Sequence, residues 1–238
     1  MQIFLLERIE SSSGWLDPTE TRHCIKVLRH KVGDEIWCID GQGTAYQAVI
    51  TAYDKEHTSL QLRQSYPGWG EHDRHIRLLV SPLRLRDRFE FMIEKAVELG
   101  VNEIVPISCQ RTDKYQSKFK PSRIQTLIAT ASKQCKRSRL ATLQELQPMY
   151  QAIETIPEGA NFLAYCEGEP APLQSYGEQI KASKQVSIMI GPEGDFTEEE
   201  ARFAERQHFQ TISLGENRLR TETAAIYALS VIKMLQGY

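Results

Sequence analysis

The stretch Ser187–Gln207, SIMIGPEGDFTEEEARFAERQ, decides the fold. Val186 and Ile188 to Ile190 form a short apolar run, the mark of a buried strand. Gly191-Pro192-Glu193-Gly194-Asp195 then breaks the chain into a loop. Thr197 followed three residues later by Glu200 is a capping box that opens a helix. Strand, loop and helix in that order predict one unit of a parallel α/β sheet, where ligands gather beyond the carboxyl ends of the strands. Two glycines let the backbone approach a ligand closely. The spacing is neither G-x-G-x-x-G nor G-x-x-x-x-G-K-[ST], which argues against a nucleotide phosphate. Glu193 and Asp195 make the loop acidic, so a cationic or hydroxyl-bearing ligand suits it better. On local sequence alone, an ordinary strand-to-helix turn remains an equal reading.

The same pattern repeats outward. TISLG (211–215) reads as a strand, Glu216 to Arg220 as a loop, and TETAAIYALSVI (221–232) as an apolar helix. Thr221 or Thr223 can cap that helix, and Glu222 suits the positive end of its dipole. Arg220 opposes the dipole, so it calls for an anionic partner, either Glu222 or a bound substrate. Upstream, IRLLVSP (76–82), NEIVPIS (102–108) and NFLAYC (161–166) read as strands. Phe89, Met92, Ile93, Ala96 and Val97 share one face of a helix over 87–100, with Gly100 as its left-handed cap. A further helix is expected over 121–138. Strands alternating with helices imply a mostly parallel sheet covered on both faces.

The first seventy residues have a different period. IFLLERI, EIWCID, TAYQAVITAY and HTSLQLRQSY read as strands of a small barrel or sheet. HCIKVLRHK (23–31) suggests one short helix with Ile25, Leu28 and Val27 inward, and PGWGEHD (67–73) reads as a linker. The domain boundaries expected are therefore 1–70 and 74–238.

Composition narrows the function. No apolar run reaches the roughly 18 residues of a membrane span, and MQIFLLERIE lacks a signal-peptide pattern, so a cytoplasmic protein is expected. Five scattered cysteines form no C-x-x-C pair, and the six histidines form no metal pattern; buried or half-buried thiols and no metal are expected. His72 and His75 read as solvent-exposed. The net charge of −2 hides a polarity: residues 111–140 hold nine Lys or Arg against Asp113 alone. Tyr115 and Phe119 lie among those cations, which suits RNA backbone and base stacking, although a solvated face reads the same way. Arg29, His30 and Lys31 could extend that surface.

Together these motifs resemble the RsmE family of ribosomal RNA uridine-N3 methyltransferases in the SPOUT superfamily. The resemblance rests on HCIKVLRHKVGD (23–34), IEKAVELGVNEIVPI (93–107), the Gln-Cys-x-Arg of ASKQCKR (131–137), IGPEGDFTEEE (190–200) and LGENRLRTETA (214–224), in family order over nearly the whole chain. It implies a PUA-like RNA-binding barrel and a C-terminal α/β domain whose parallel sheet carries a deep trefoil knot, an exception to the rule against threading. It implies S-adenosylmethionine as cofactor, held by Leu163, Tyr165, Glu167, Ile190, Gly191, Glu193, Gly194, Leu214, Gly215, Asn217, Leu219 and Thr221. It implies a homodimer acting on 16S ribosomal RNA, within the assembled small ribosomal subunit, with no membrane partner. RNA contacts would fall to Arg29, Lys31, Arg84, Lys114, Lys133, Lys136 and Arg137. The chain departs from the common family pattern at Asp195, where a third glycine is frequent, at Asn217-Arg218, where Arg-Ile is frequent, and at Lys133, where Glu is frequent.

For that chemistry, uridine N3 must lose a proton with a pKa of about 9, a cost of roughly 3 kcal/mol at neutral pH. A nearby cation would favour the uridine anion. Arg220 is the first choice and Arg111 the second, with Glu222 orienting Arg220 or accepting the proton. Readings of another class are an inactive RNA-binding protein with this fold, and a methyltransferase acting on transfer RNA or a ribose hydroxyl.

Overall fold

The computed structural model describes residues 1–112 and 119–237. The chain divides into two compact units, one of residues 1–72 with 129–140 and one of residues 73–128 with 141–238.

The first unit is a closed five-stranded barrel: β1 (Ile3–Glu10), β2 (Ser13–Leu16), β3 (Glu35–Ile39), β4 (Thr44–Tyr53) and β5 (Thr58–Pro67), in the order β1-β2-β5-β4-β3. Inward-facing Phe4, Leu16, Cys38, Ile50 and Leu60 fill it. Strand β2, SGWL, has only two apolar residues and gives too short an alternation to be read from sequence. Between β2 and β3 lie a one-turn helix α1 (Pro18–Thr21), capped by Asp17, and a π-helical turn, Arg22–Val27. The π pitch overturns the expected burial. Leu28 N–H donates to the His23 carbonyl, five residues back, at 2.9 Å. Cys24 and Ile25 therefore point into the barrel, while Val27 and Leu28 are 62% and 39% exposed.

The division between the units, at His72 and Asp73, falls inside the stretch read as a linker, whose first part is tied to the barrel unit. The linker's first residue, Pro67, ends β5, and Trp69 and Glu71 are hydrogen-bonded to residues 137–139. Ser138 donates to the Trp69 carbonyl through N–H and hydroxyl, at 3.2 and 2.6 Å. Glu71 accepts from the Arg137 guanidinium at 3.0 Å and from Arg139 N–H at 2.8 Å. Gly70 has φ 74°, and a Cβ there would stand 2.0 Å from the Lys136 carbonyl oxygen, so only glycine fits. Helix α3 (Pro121–Gln134), expected to reach residue 138, stops because Lys136 turns left-handed, at φ 63°.

In the second unit, strands β6 (His75–Val80), β7 (Glu103–Ser108), β8 (Thr142–Leu143), β9 (Gln147–Pro148), β10 (Ala160–Ala164), β11 (Gln185–Ile190) and β12 (Gln210–Ile212) form a wholly parallel sheet. Its order is β12-β10-β11-β6-β7-β8, with β9 also on β7. β8 and β9 are two residues long, below what periodicity reveals. Helices α2 (Arg86–Glu98), α4 (Met149–Glu154), α5 (Gly177–Ala182), α6 (Glu198–Arg206) and α7 (Thr221–Gln236) complete the unit. All five apolar residues expected on the inner face of α2 are buried, and Gly100 has φ 99°. The Thr197–Glu200 capping box forms in both directions, at 3.2 and 2.8 Å. No helix among the described residues is long and apolar enough to cross a membrane.

Register sets up the site. Val80, Ile190, Ala164 and Ile212 stand side by side across β6, β11, β10 and β12. The loops that follow them therefore leave from one edge of the sheet.

Candidate active site

A cavity of about 830 Å³ opens at that carboxyl edge. Its walls are the segments 164–170, 190–195 and 212–222, with Leu85 and Arg88 at the start of α2. The size lies within the range of small-molecule sites.

The turn 191–196 is held from several sides. The Thr221 hydroxyl donates to the Gly191 carbonyl at 3.1 Å. Arg84 N–H donates to Glu193 at 3.3 Å. The Arg111 guanidinium donates to the carbonyls of Gly194 and Phe196 at 3.1 and 3.2 Å. Asp195 accepts from Cys166 N–H at 3.1 Å. Thr221 therefore does not cap α7; Arg220 occupies the N-cap position with no side-chain hydrogen bond, and Thr221 ties the helix to the turn instead.

Arg220 and Glu222 both face the cavity, yet they are not partners. Glu222 pairs with Arg88 at 3.5 Å, and its carboxyl group is largely buried. Among the described residues, the Arg220 guanidinium forms no ion pair or hydrogen bond, although it stands at the positive end of a helix. It is thus a cation on a cavity wall with no charged partner among the described residues. The sequence offered two partners for it, and the structure gives the nearer one to Arg88. Arg88 itself was missed: one arginine in RLRDRFEF, at the start of an amphipathic helix, reads as solvated.

The other expected site residues divide. Tyr165, Ile190, Gly191, Glu193, Gly194, Leu214, Gly215, Asn217, Leu219 and Thr221 line the cavity. Leu163 does not; the pleat of β10 turns it into the sheet's core, fully buried. Glu167 lies off the wall and accepts from the Tyr165 hydroxyl at 3.1 Å. Burial, then that carboxylate, pushes the Tyr165 phenol up to about 12. Arg111 braces the back of the 191–196 turn and is not among the lining residues. Gly215, at φ 119°, has open space where a Cβ would point.

Of the expected RNA-binding cations, Arg29, Lys31, Lys136 and Arg84 are exposed. Lys133 is bonded to Glu20, and Arg137, 4% exposed, to Glu71, so both cations have carboxylate partners inside the barrel unit. Lys114 and Tyr115 lie outside the described residues. Cys24 and Cys38 are buried and Cys109 and Cys135 half-buried, but Cys166 is exposed on the cavity wall. Burial, then Asp195, pushes its thiol up. His75 is not simply solvated but bonds Glu103 at 3.3 Å. Among the described residues, no group of three or more His, Cys, Asp or Glu could hold a metal ion.

Comparison with known proteins agrees with this architecture. Residues 70–233 match the model of an RNA methyltransferase domain, and residues 16–62 match that of an RNA methyltransferase PUA domain. The ribosomal RNA small subunit methyltransferase E of Bacillus subtilis is 27% identical over 90% of this chain and 86% of its own. A probable rRNA-methyltransferase from Porphyromonas gingivalis superposes with a TM-score of 0.89 at 30% identity, covering 99% of this chain and 98% of that one. The ribosomal RNA small subunit methyltransferase E of Neisseria gonorrhoeae, solved bound to S-adenosyl methionine, superposes at 0.87 with 28% identity, over 99% and 98% of the two chains. The two matched domains span nearly the whole sequence, and the chain belongs to the RsmE family of RNA methyltransferases.

Proposed function

We propose that this chain transfers a methyl group from S-adenosylmethionine to N3 of one uridine in small-subunit 16S ribosomal RNA. The observation that carries the reading is the Arg220 cation, without a charged partner among the described residues, on the wall of a ligand-sized cavity built from three loops at one sheet edge.

The cavity suits the cofactor. Leaving aside Asp195, whose two carboxylate oxygens accept from backbone amides, its acids, Glu169, Glu193, Glu216 and Glu222, outnumber Arg88, Arg218 and Arg220, which favours a cationic ligand over a phosphate. Gly191, Gly194, Leu214 and Gly215 line it, with Tyr165, Ile190, Glu193, Asn217, Leu219 and Thr221 around. When bound, S-adenosylmethionine supplies an electrophilic methyl group on a sulfonium. Arg220 favours the N3 anion of uridine, and Glu222, held by Arg88, takes the N3 proton directly or through water. Arg111 contributes by fixing the turn.

The barrel, residues 1–70 in the main, would grip RNA phosphates through Arg29, Lys31 and Lys136, and Arg84 would do so beside the cavity. Residues 74–238 would carry the chemistry, with the chain threaded as a trefoil knot through the cavity loops. Exposed Tyr227 and Met234 on one face of α7 support a homodimer. A cytoplasmic enzyme acting on assembled small subunits completes the reading.

The test offers labelled S-adenosylmethionine with small subunits lacking the mark, naked ribosomal RNA and transfer RNA, and identifies the product by mass spectrometry. 3-Methyluridine in the small-subunit RNA is the expected product. Label in transfer RNA, or on a ribose, overturns the substrate; cofactor binding without any transfer overturns the activity.

A further inference from the structure

Asp195 holds a left-handed backbone, φ 61°, which glycine adopts at least cost and aspartate tolerates better than most residues. Its N–H closes the turn onto the Pro192 carbonyl at 2.9 Å. Its carboxylate faces two ways. Oδ1 accepts from Phe196 N–H at 2.8 Å, within its own turn. Oδ2 accepts from Cys166 N–H at 3.1 Å, on the neighbouring cavity wall that follows the adjacent strand β10.

That neighbouring wall, residues 164–170, meets Arg218 at the Cys166 side chain and runs on to Ala171, whose carbonyl accepts from Ser213 N–H at 3.0 Å; among the described residues, the backbone of 167–170 between them forms no hydrogen bond. Tyr165 N–H is anchored to the Ile212 carbonyl at 3.2 Å. Beyond Cys166, Gly168 is left-handed at φ 78°, with open space where a Cβ would point. The 191–196 turn, by contrast, is braced from behind by Arg111. A carboxylate projecting from the braced turn to the less supported wall transmits the position of one to the other.

We propose that Asp195 is a positioning residue for the cofactor, a strap that holds the 164–170 wall at a fixed distance from the 191–196 turn. The inference rests on reading the cavity as the S-adenosylmethionine site. Asp195 acts through the Cys166 amide rather than by touching the sulfonium. The cationic cofactor and the neutral product S-adenosylhomocysteine therefore depend on it equally.

The experiment compares the wild type with Asp195→Gly, which fits the backbone angle without strain, and Asp195→Asn. Calorimetry measures binding of both ligands, amide exchange follows Cys166 in the ligand-free protein, and steady-state kinetics use saturating RNA. In Asp195→Gly, both ligands are expected to bind about tenfold more weakly, as for loss of a charge-assisted hydrogen bond. The KM for S-adenosylmethionine rises to match, kcat at saturation stays within about twofold, and the Cys166 amide exchanges faster. Asp195→Asn, which keeps one carbonyl acceptor, should recover part of the loss. Unchanged amide exchange overturns the strap. A loss confined to S-adenosylmethionine also overturns it, because that would be a direct charge effect. A fall in kcat alone likewise overturns it. If the wild type binds neither ligand, the reading of the cavity fails, and with it the positioning role. Amide exchange then still reports separately whether the strap exists.

Discussion

The two ends of the parallel sheet handle charge in opposite ways. At the amino end, Glu103 accepts from the Arg77 guanidinium at 2.6 Å, from His75 at 3.3 Å and from the Gln144 amide at 2.6 Å, and Arg77 also donates to Ser187 at 3.3 Å. Every charge there is answered within the cluster, and Arg77 is 7% exposed. Among the described residues at the carboxyl end, Arg88 and Glu222 answer each other, and Arg220 has no charged partner. A closed network stabilises a fold. An unanswered cation at a cavity costs stability and is available to something that arrives from outside.

The sharpest way to break that contrast is to open the closed end. Arg77→Ala removes one partner of a buried pair and should cost about 3–5 kcal/mol in a denaturant titration, while cofactor affinity of the folded fraction stays unchanged. Removing the unpaired cation should do the reverse. Arg220→Ala is expected to lower kcat by on the order of a hundredfold or more, with S-adenosylmethionine binding and the melting temperature close to wild type; full turnover would refute its role.

Acid separates the ends next. The His75 hydrogen bond, then Arg77 and Gln144, hold the Glu103 carboxyl down at about 2 against the ordinary 4.5, despite its burial. A depressed carboxyl stabilises the fold above its unfolded value, and that contribution disappears as pH falls from about 4.5 towards 2. The full contribution is on the order of 3 kcal/mol. Glu103→Gln should therefore flatten the acid limb of the stability curve in that window, seen by unfolding at a series of pH values. Smallest is the pair at the rim: Arg88→Gln should reduce kcat roughly fivefold and shift the pH–rate profile, since Arg88 is half exposed and acts only through Glu222. An unshifted profile would separate Arg88 from the proton.

Local pattern made the central parts of this molecule legible. The inner face of α2, the capping box at Thr197 and the strand ending at Ile190 each announce themselves within a dozen residues, because periodicity and capping are local physics. Ten of the residues expected around the cofactor line one cavity, since glycine-rich turns after parallel strands share an edge. What could not be read depends on partners distant in sequence. Nothing in RLRDRFEF foretells that Arg88 meets Glu222, and nothing in KQCKR foretells that Lys133 and Arg137 are taken by Glu20 and Glu71. Leu28 was misplaced by the π turn, a change of phase rather than of residue type.

The docking of residues 136–140 against Trp69 and Glu71 also bears on how the chain is made. The barrel unit is discontinuous: it includes residues 129–140, which follow the first strands of the sheet in sequence. During synthesis the first 72 residues emerge with the Trp69 carbonyl and the Glu71 carboxylate still waiting for Ser138 and Arg137. The amino-terminal module therefore cannot finish before the carboxyl-terminal one has begun, and the usual order of domains folding one after another along a nascent chain gives way to joint completion.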